Sequence, residues 1–170
     1  MIKKILLFTI AVFALTGCFS KPYVDVKTPE YATVQLVPDS ETLIFKDTYR
    51  VFITDYNQMK SKPQCKGGGA LGHVETDSDT PSRAFKVPSD KALLFNAEYV
   101  VQSGNSTFTE YTMFVLTPQK YKEYVIIYQK KNLNLFKSVS DFSILEKRGD
   151  KLFPVPESRI RTYSPQKECK

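Results

Sequence analysis

The alternation of apolar and polar residues predicts an all-β fold, an antiparallel β-sandwich of about seven or eight strands, with residues 31–170 forming one domain. Three observations carry this expectation. Apolar residues recur at every second position in one run after another, which is the period of a half-buried strand and not the three-and-four spacing of a helix. Clusters of Gly, Asn, Asp and Pro punctuate those runs, as turns between strands require. The aromatics, 12 Phe and 10 Tyr with no Trp, fall mostly inside the runs, where they would build the core.

In chain order, Ala32, Val34 and Leu36 share one face, with Thr33 and Gln35 on the other. Tyr49, Val51 and Ile53 repeat the pattern, offset by Arg50 and Thr54. The clearest strand sets Leu93, Phe95, Ala97, Tyr99 and Val101 away from Asn96, Glu98 and Gln102. Ser103-Gly104-Asn105-Ser106 then reads as a hairpin turn, because Gly and Asn tolerate positive φ. The returning strand, 107–116, places Tyr111, Met113 and Val115 opposite Phe108, Phe114 and Leu116. Within 121–129, Tyr124, Ile126 and Tyr128 alternate against Val125 and Ile127, and Lys131-Asn132 is expected to begin a turn. Residues 144–153 read as a tight hairpin closed by Arg148-Gly149-Asp150. The stretch 138–146 stays open between a strand and one short helix capped by Ser140, ahead of Phe142, Ile144 and Leu145.

At the start of the chain, Lys3 and Lys4 precede an apolar run over residues 5–15 that only Thr9 interrupts. Such a run falls short of the ~20 residues a bilayer span needs. It has the length of the hydrophobic core of a secretory signal. The residues that follow, Leu15-Thr16-Gly17-Cys18, resemble the lipobox of bacterial lipoproteins. That resemblance implies removal of residues 1–17 as a signal peptide, so that 170 less 17 leaves 153, with diacylglycerol and palmitate attached at Cys18. Phe19, not Asp, follows the cysteine, which by the same resemblance implies the outer membrane; there the domain is expected to face the periplasm, although Phe19 does not fix the face. Residues 18–30 contain Lys21-Pro22 and Thr28-Pro29 and no long apolar run, so they read as a lipidated tether able to reach ~40 Å. Further along, Val87-Pro88-Ser89-Asp90-Lys91 leading into the strand at Leu93 is similar to a turn-and-strand of small periplasmic β-sandwich lipoproteins.

Once Cys18 is set aside for lipid, Cys65 and Cys169 remain, and in an exported protein the pair is expected to form a disulfide. Two free thiols or a two-ligand metal site is the alternative, but a zinc site wants four ligands and the sole histidine is His73. No metal site and no cofactor are therefore expected. The net charge of +6 includes Lys3 and Lys4, and the remaining basic excess is scattered. Nucleic-acid binding would need a dense basic stripe interleaved with aromatics, so no nucleic-acid partner is expected. The pairs Lys130-Lys131 and Lys147-Arg148 read as loop ends.

Several motifs look chemical and lack the context that chemistry needs. Gly67-Gly68-Gly69-Ala70-Leu71-Gly72 has the spacing of a dinucleotide fingerprint. It follows Pro63 and Cys65, however, and precedes an acidic, turn-like stretch, where the fingerprint would join a strand to a helix. A mobile loop is expected instead, with Gly67, Gly68, Gly69, Leu71 and His73 as the candidate partner surface. His73 is the only general base of the usual kind, and no nucleophile elbow accompanies it. Asp77 and Asp79 lack the remaining ligands of a calcium loop. Arg148-Gly149-Asp150 spells an adhesion tripeptide, although Gly and Asp are also what a hairpin turn wants. Arg159 and Arg161 are expected to point outward from an edge strand, or else to fork onto a carboxylate or phosphate.

The expected function is that of a membrane-anchored, non-enzymatic lipoprotein that binds a protein or envelope polymer, as an accessory of an envelope or secretion assembly. The alternatives are a periplasmic hydrolase acting on cell-wall material and a lysozyme-inhibitor-like lipoprotein. A sequence pI near 9.1 opposes the last, since such an inhibitor must attract a basic enzyme.

Overall fold

The computed structural model describes residues 21–39, 46–65, 68–77, 82–103, 106–134 and 137–169. The signal and lipobox residues, Gly67, Asp79 and the Gly104-Asn105 turn lie outside the described residues. Within them, the chain forms β1 (Tyr31–Asp39), β2 (Lys46–Asp55), β3 (Ala70–Asp77), β4 (Arg83–Pro88) and β5 (Leu93–Ser103). It continues with β6 (Ser106–Leu116), β7 (Glu123–Asn134), β8 (Lys137–Arg148), β9 (Lys151–Pro154) and β10 (Ile160–Thr162). Two short helices, α1 (Tyr56–Lys60) and α2 (Pro165–Glu168), flank this framework. One sheet runs β4-β1-β7-β8-β9 and the other β10-β6-β5-β2-β3.

The period-two pattern does what a sandwich requires of it. Ala32, Val34 and Leu36 of β1 and Tyr124, Ile126 and Tyr128 of β7 meet Tyr49, Val51 and Ile53 of β2 and Leu93, Phe95, Ala97 and Tyr99 of β5 in one core. Aromatic contacts tie the layers together: Tyr99 stacks on Tyr128 at 4.3 Å between ring centroids, and Tyr49 lies 5.3 Å from Tyr128. A second, smaller core forms outside the β5 sheet. There Leu94 and Val115 are covered by Met59 from α1 and by Tyr163, and the Cys65–Cys169 disulfide packs beside them. The expected disulfide is thus present and ties Cys169 to the short turn Pro63–Cys65 that follows α1. Asp55 caps α1, its carboxylate accepting from the Gln58 N–H at 3.0 Å.

The sandwich has more strands than the sequence indicated, and one pairing, β1 with β7, is parallel. The stretch 138–146 is strand and not helix. All of it pairs with β7, and Phe142, Ile144 and Glu146 turn inward at every second position. Lys131-Asn132 does not start a turn and Lys130-Lys131 is not a loop end, because β7 continues to Asn134 through a register shift after Asn132. The hairpin at Arg148 forms as read, with Gly149 at φ +59 and Arg148 paired to Lys151.

Candidate partner-binding edge

Two seams run along the sides of a sandwich, where the edge strands of its two sheets lie side by side. On one side these are β3 and β4, and the segment at residues 21–26 closes the gap between them. The Tyr23 N–H donates to the His73 carbonyl at 2.8 Å, and the His73 N–H donates to the Lys21 carbonyl at 3.1 Å. The Tyr23 ring enters the core against Phe85, and its hydroxyl donates to the Lys86 carbonyl of β4 at 2.7 Å. Burial, with Asp25 nearby, pushes the Tyr23 phenol up to about 12. The Lys86 N–H in turn donates to the Asp25 carboxylate at 3.2 Å. The segment therefore works as a strap across both edges, so from Lys21 onward the expected tether is held against the fold.

The close approach explains Gly72. A Cβ there would lie 2.7 Å from Tyr23 Cα and 2.8 Å from Tyr23 N, and the residue sits at φ +141. The sequence reading of a mobile loop is corrected by this arrangement. Leu71 and His73 belong to β3, an edge strand that the strap already occupies, and Leu71 packs against the core. His73 Nδ1 lies 3.2 Å from the Lys21 carbonyl, which can only accept, and its ring is 5.7 Å from Phe52. Gly69 backs onto the Asp55 carbonyl and Gly68 onto Lys62 and Gln58. Gly69, at φ +72, is needed for this close approach, while Leu71 and His73 of the expected partner loop are held in a strand and Gly67 lies outside the described residues.

The opposite seam, between β6 and β8, is closed at one end. β9 pairs with β8 over Leu145–Arg148, and β10 pairs with β6 over Phe114–Leu116. The crossing between them buries Val155 and carries Arg159 to Glu146. Glu146 has no exposed surface and accepts from Arg148 Nε at 2.8 Å, Arg159 NH2 at 3.2 Å and Lys122 Nζ at 3.2 Å. The Arg148 hydrogen bond, supported by Lys122, brings its carboxyl down to about 2 despite burial. Neither arginine of the C-terminal pair is a plain outward-facing edge residue. Arg159 also donates to the Tyr124 hydroxyl at 3.2 Å, and Arg161 forks onto Glu168 and reaches Tyr56. Both forks have found carboxylates within the chain. Arg148 likewise turns back onto Glu146, with its guanidinium over the Phe153 ring at 4.9 Å, so the tripeptide arginine is engaged internally.

Beyond this closure no described strand covers the seam. Residues 106–113 of β6 and 137–144 of β8 have no strand on their outer side among the described residues. The backbone direction along β6 follows from two hydrogen bonds. The Met113 carbonyl accepts from Tyr163 N and the Thr117 N–H donates to Arg159 O, so odd-numbered residues point to the outer edge. The β5–β6 register runs without a shift, so Thr107, Thr109 and Tyr111 present their N–H and C=O groups the same way. Phe114 and Leu116 turn their side chains inward, and Glu110, on the same face, accepts from the Tyr128 hydroxyl at 3.2 Å. Phe142 of β8 reaches the same ring, at 4.9 Å. On the outer face Tyr111 is 67% exposed.

The sequence marked 107–116 as a strand but held no sign that it was an edge, because edge status depends on where β10 stops. Among the described residues no group of three or more His, Cys, Asp or Glu could hold a metal ion. Fold and site together define a β-sandwich with one seam strapped shut and the other leaving the outer edge of residues 106–113 of β6 without a partner strand among the described residues. No family model matches the chain, and no curated protein matches it.

Proposed function

We propose that this chain is a lipid-anchored, non-enzymatic binding module of the outer membrane. Its domain faces the periplasm and offers its open seam to a protein or envelope polymer, as an accessory of an envelope or secretion assembly. The observation that carries the reading is the asymmetry of the two seams. Cys18 stands three residues before Lys21, the first residue of the strap, so at most about 11 Å of extended chain separates them. A lipid on Cys18 would hold the strapped seam at the bilayer and turn the unpaired β6 edge away from it. A single acyl chain binds a membrane only marginally, and a triacylated Cys18 would anchor stably. The tie between His73 and the Lys21 backbone supports binding over hydrolysis, since the one histidine is engaged in holding the strap.

The test is palmitate labelling and membrane fractionation of the native chain beside Cys18→Ala, followed by crosslinking in intact membranes. The expected result is label and membrane residence in the native chain alone, with one envelope component crosslinked to it. Equal fractionation of the two forms would overturn the anchor. A labelled, membrane-resident chain that crosslinks nothing would overturn the binding role.

A further inference from the structure

We infer that β6 accepts an added strand from a partner polypeptide, an extended segment that carries a basic side chain opposite Glu110. This rests on the binding-module reading above and names the partner's chemistry. The backbone supplies the first half of the argument. β10 already pairs with the far end of β6, and the chain leaves that row after the Tyr163 N–H bonds Met113. The next outward-pointing residues, Tyr111, Thr109 and Thr107, continue the same row of donors and acceptors with no strand upon it among the described residues. A row of unpaired groups in an existing sheet is what strand addition uses: main-chain hydrogen bonds supply affinity and alternate side chains supply selectivity. An incoming segment of about five residues would extend β10's row along this edge.

The side chains supply the second half. Alternate residues of an added strand would point into the seam, toward Glu110 and Thr112 of β6 and toward Phe142 and Ile144 of β8. Among the described side chains that surface offers an aromatic ring, an aliphatic chain, a threonine and the carboxylate of Glu110. No Lys or Arg forms an ion pair with Glu110 among the described residues, although cations are paired at Glu146, Glu168, Glu75, Glu30 and Glu123. A Lys or Arg of the incoming strand is the complement this edge lacks. The same carboxylate opposes pairing with a second copy of the chain. An antiparallel β6–β6 contact centred on Thr109 would bring two Glu110 side chains to the same inner face, one residue either side of the centre. On the outer face the incoming strand would lie beside the exposed Tyr111.

The test uses the full chain in detergent micelles and two nine-residue peptides of alternating Thr and Val, one with a central Lys and one with a central Glu. Amide exchange is followed residue by residue, and thermal melts confirm that each variant is folded. The Lys peptide is expected to slow exchange at Thr107, Thr109 and Tyr111, and the Glu peptide to bind about tenfold more weakly. Glu110→Lys should reverse that preference, and Thr109→Pro, which removes one edge donor, should abolish binding of both peptides. Slowing at other strands, no slowing at all, or a preference indifferent to residue 110 would overturn the inference. So would slowing without peptide that grows with protein concentration, which is the signature of a second copy. If these tests fail while an envelope component still crosslinks in membranes, strand addition falls and the binding module stands.

Discussion

Gly72→Ala is the sharpest single perturbation of the strap. The new Cβ would sit within 3 Å of the Tyr23 N, the Tyr23 Cα and the Lys21 carbonyl, all backbone atoms with no rotamer to escape through. The strap must therefore lift. What is lost is what the strap contributes: two strand-like hydrogen bonds and one tyrosine hydroxyl bond at about 1 kcal/mol each, and burial of an aromatic ring at about 2 kcal/mol. The sum is about 5 kcal/mol when the strap is wholly released, and about half that if the Tyr23 ring finds its pocket again. At roughly 2–4 °C per kcal/mol for a domain of this size, the melting temperature should fall by roughly 5–20 °C. Gly149→Ala is the control, since Gly149 also has positive φ but a Cβ there meets nothing within 4 Å. Its cost is the left-handed backbone alone, about 1–2 kcal/mol. Hydrogen exchange separates the two: Gly72→Ala should open the Tyr23 and His73 amides, and Gly149→Ala should leave both protected. A Gly72→Ala chain that keeps both amides protected and loses less than about 1 kcal/mol would refute the account of the strap.

Other outcomes follow from the charged and covalent ties. Glu146 titrates near 2 in the folded chain against an ordinary 4.5, so its stabilisation is full above about 4.5 and is lost as pH falls toward 2. Glu146→Gln should therefore cost about 3 kcal/mol near neutrality and flatten the acid limb of a plot of urea midpoint against pH. Parallel curves for the two proteins would contradict that. Glu168, lowered by Arg161, keeps some acid slope in the variant. Reducing the Cys65–Cys169 bond releases a constraint over a sequence separation of 104 residues and should lower stability by about 4–5 kcal/mol in the chain-entropy view. Exchange should rise first in α2 and around Tyr163, and an unchanged melt after reduction would contradict the assignment.

What could be read from the sequence was the interior. The inward-facing residues of β1, β2, β5 and β7 follow from period-two burial alone, because each has the core on one side and a polar surface on the other. The disulfide followed from counting cysteines after Cys18. What stayed hidden belongs to edges. β3 carries Gly72, which lowers strand propensity, and it forms because β2 and the strap pair with both of its sides. Local pattern described 18–30 as a tether because Lys21-Pro22 and Thr28-Pro29 leave it no long apolar run, yet Tyr23 is a core residue. The β6 edge left no trace in its own residues, since the fact that matters is the departure of the chain at Tyr163. Glu110 was one of 18 acids until the register placed it on the inner face of a strand whose outer edge has no partner there among the described residues.

The most direct test of the central claim places a photoreactive side chain at either Lys21 or Thr109 and irradiates intact membranes that contain the full chain. The account expects the probe at Lys21 to crosslink lipid and the probe at Thr109 to crosslink a polypeptide, with both products lost in Cys18→Ala. Lipid captured at Thr109, polypeptide captured at Lys21, or the same products with and without Cys18 would contradict it.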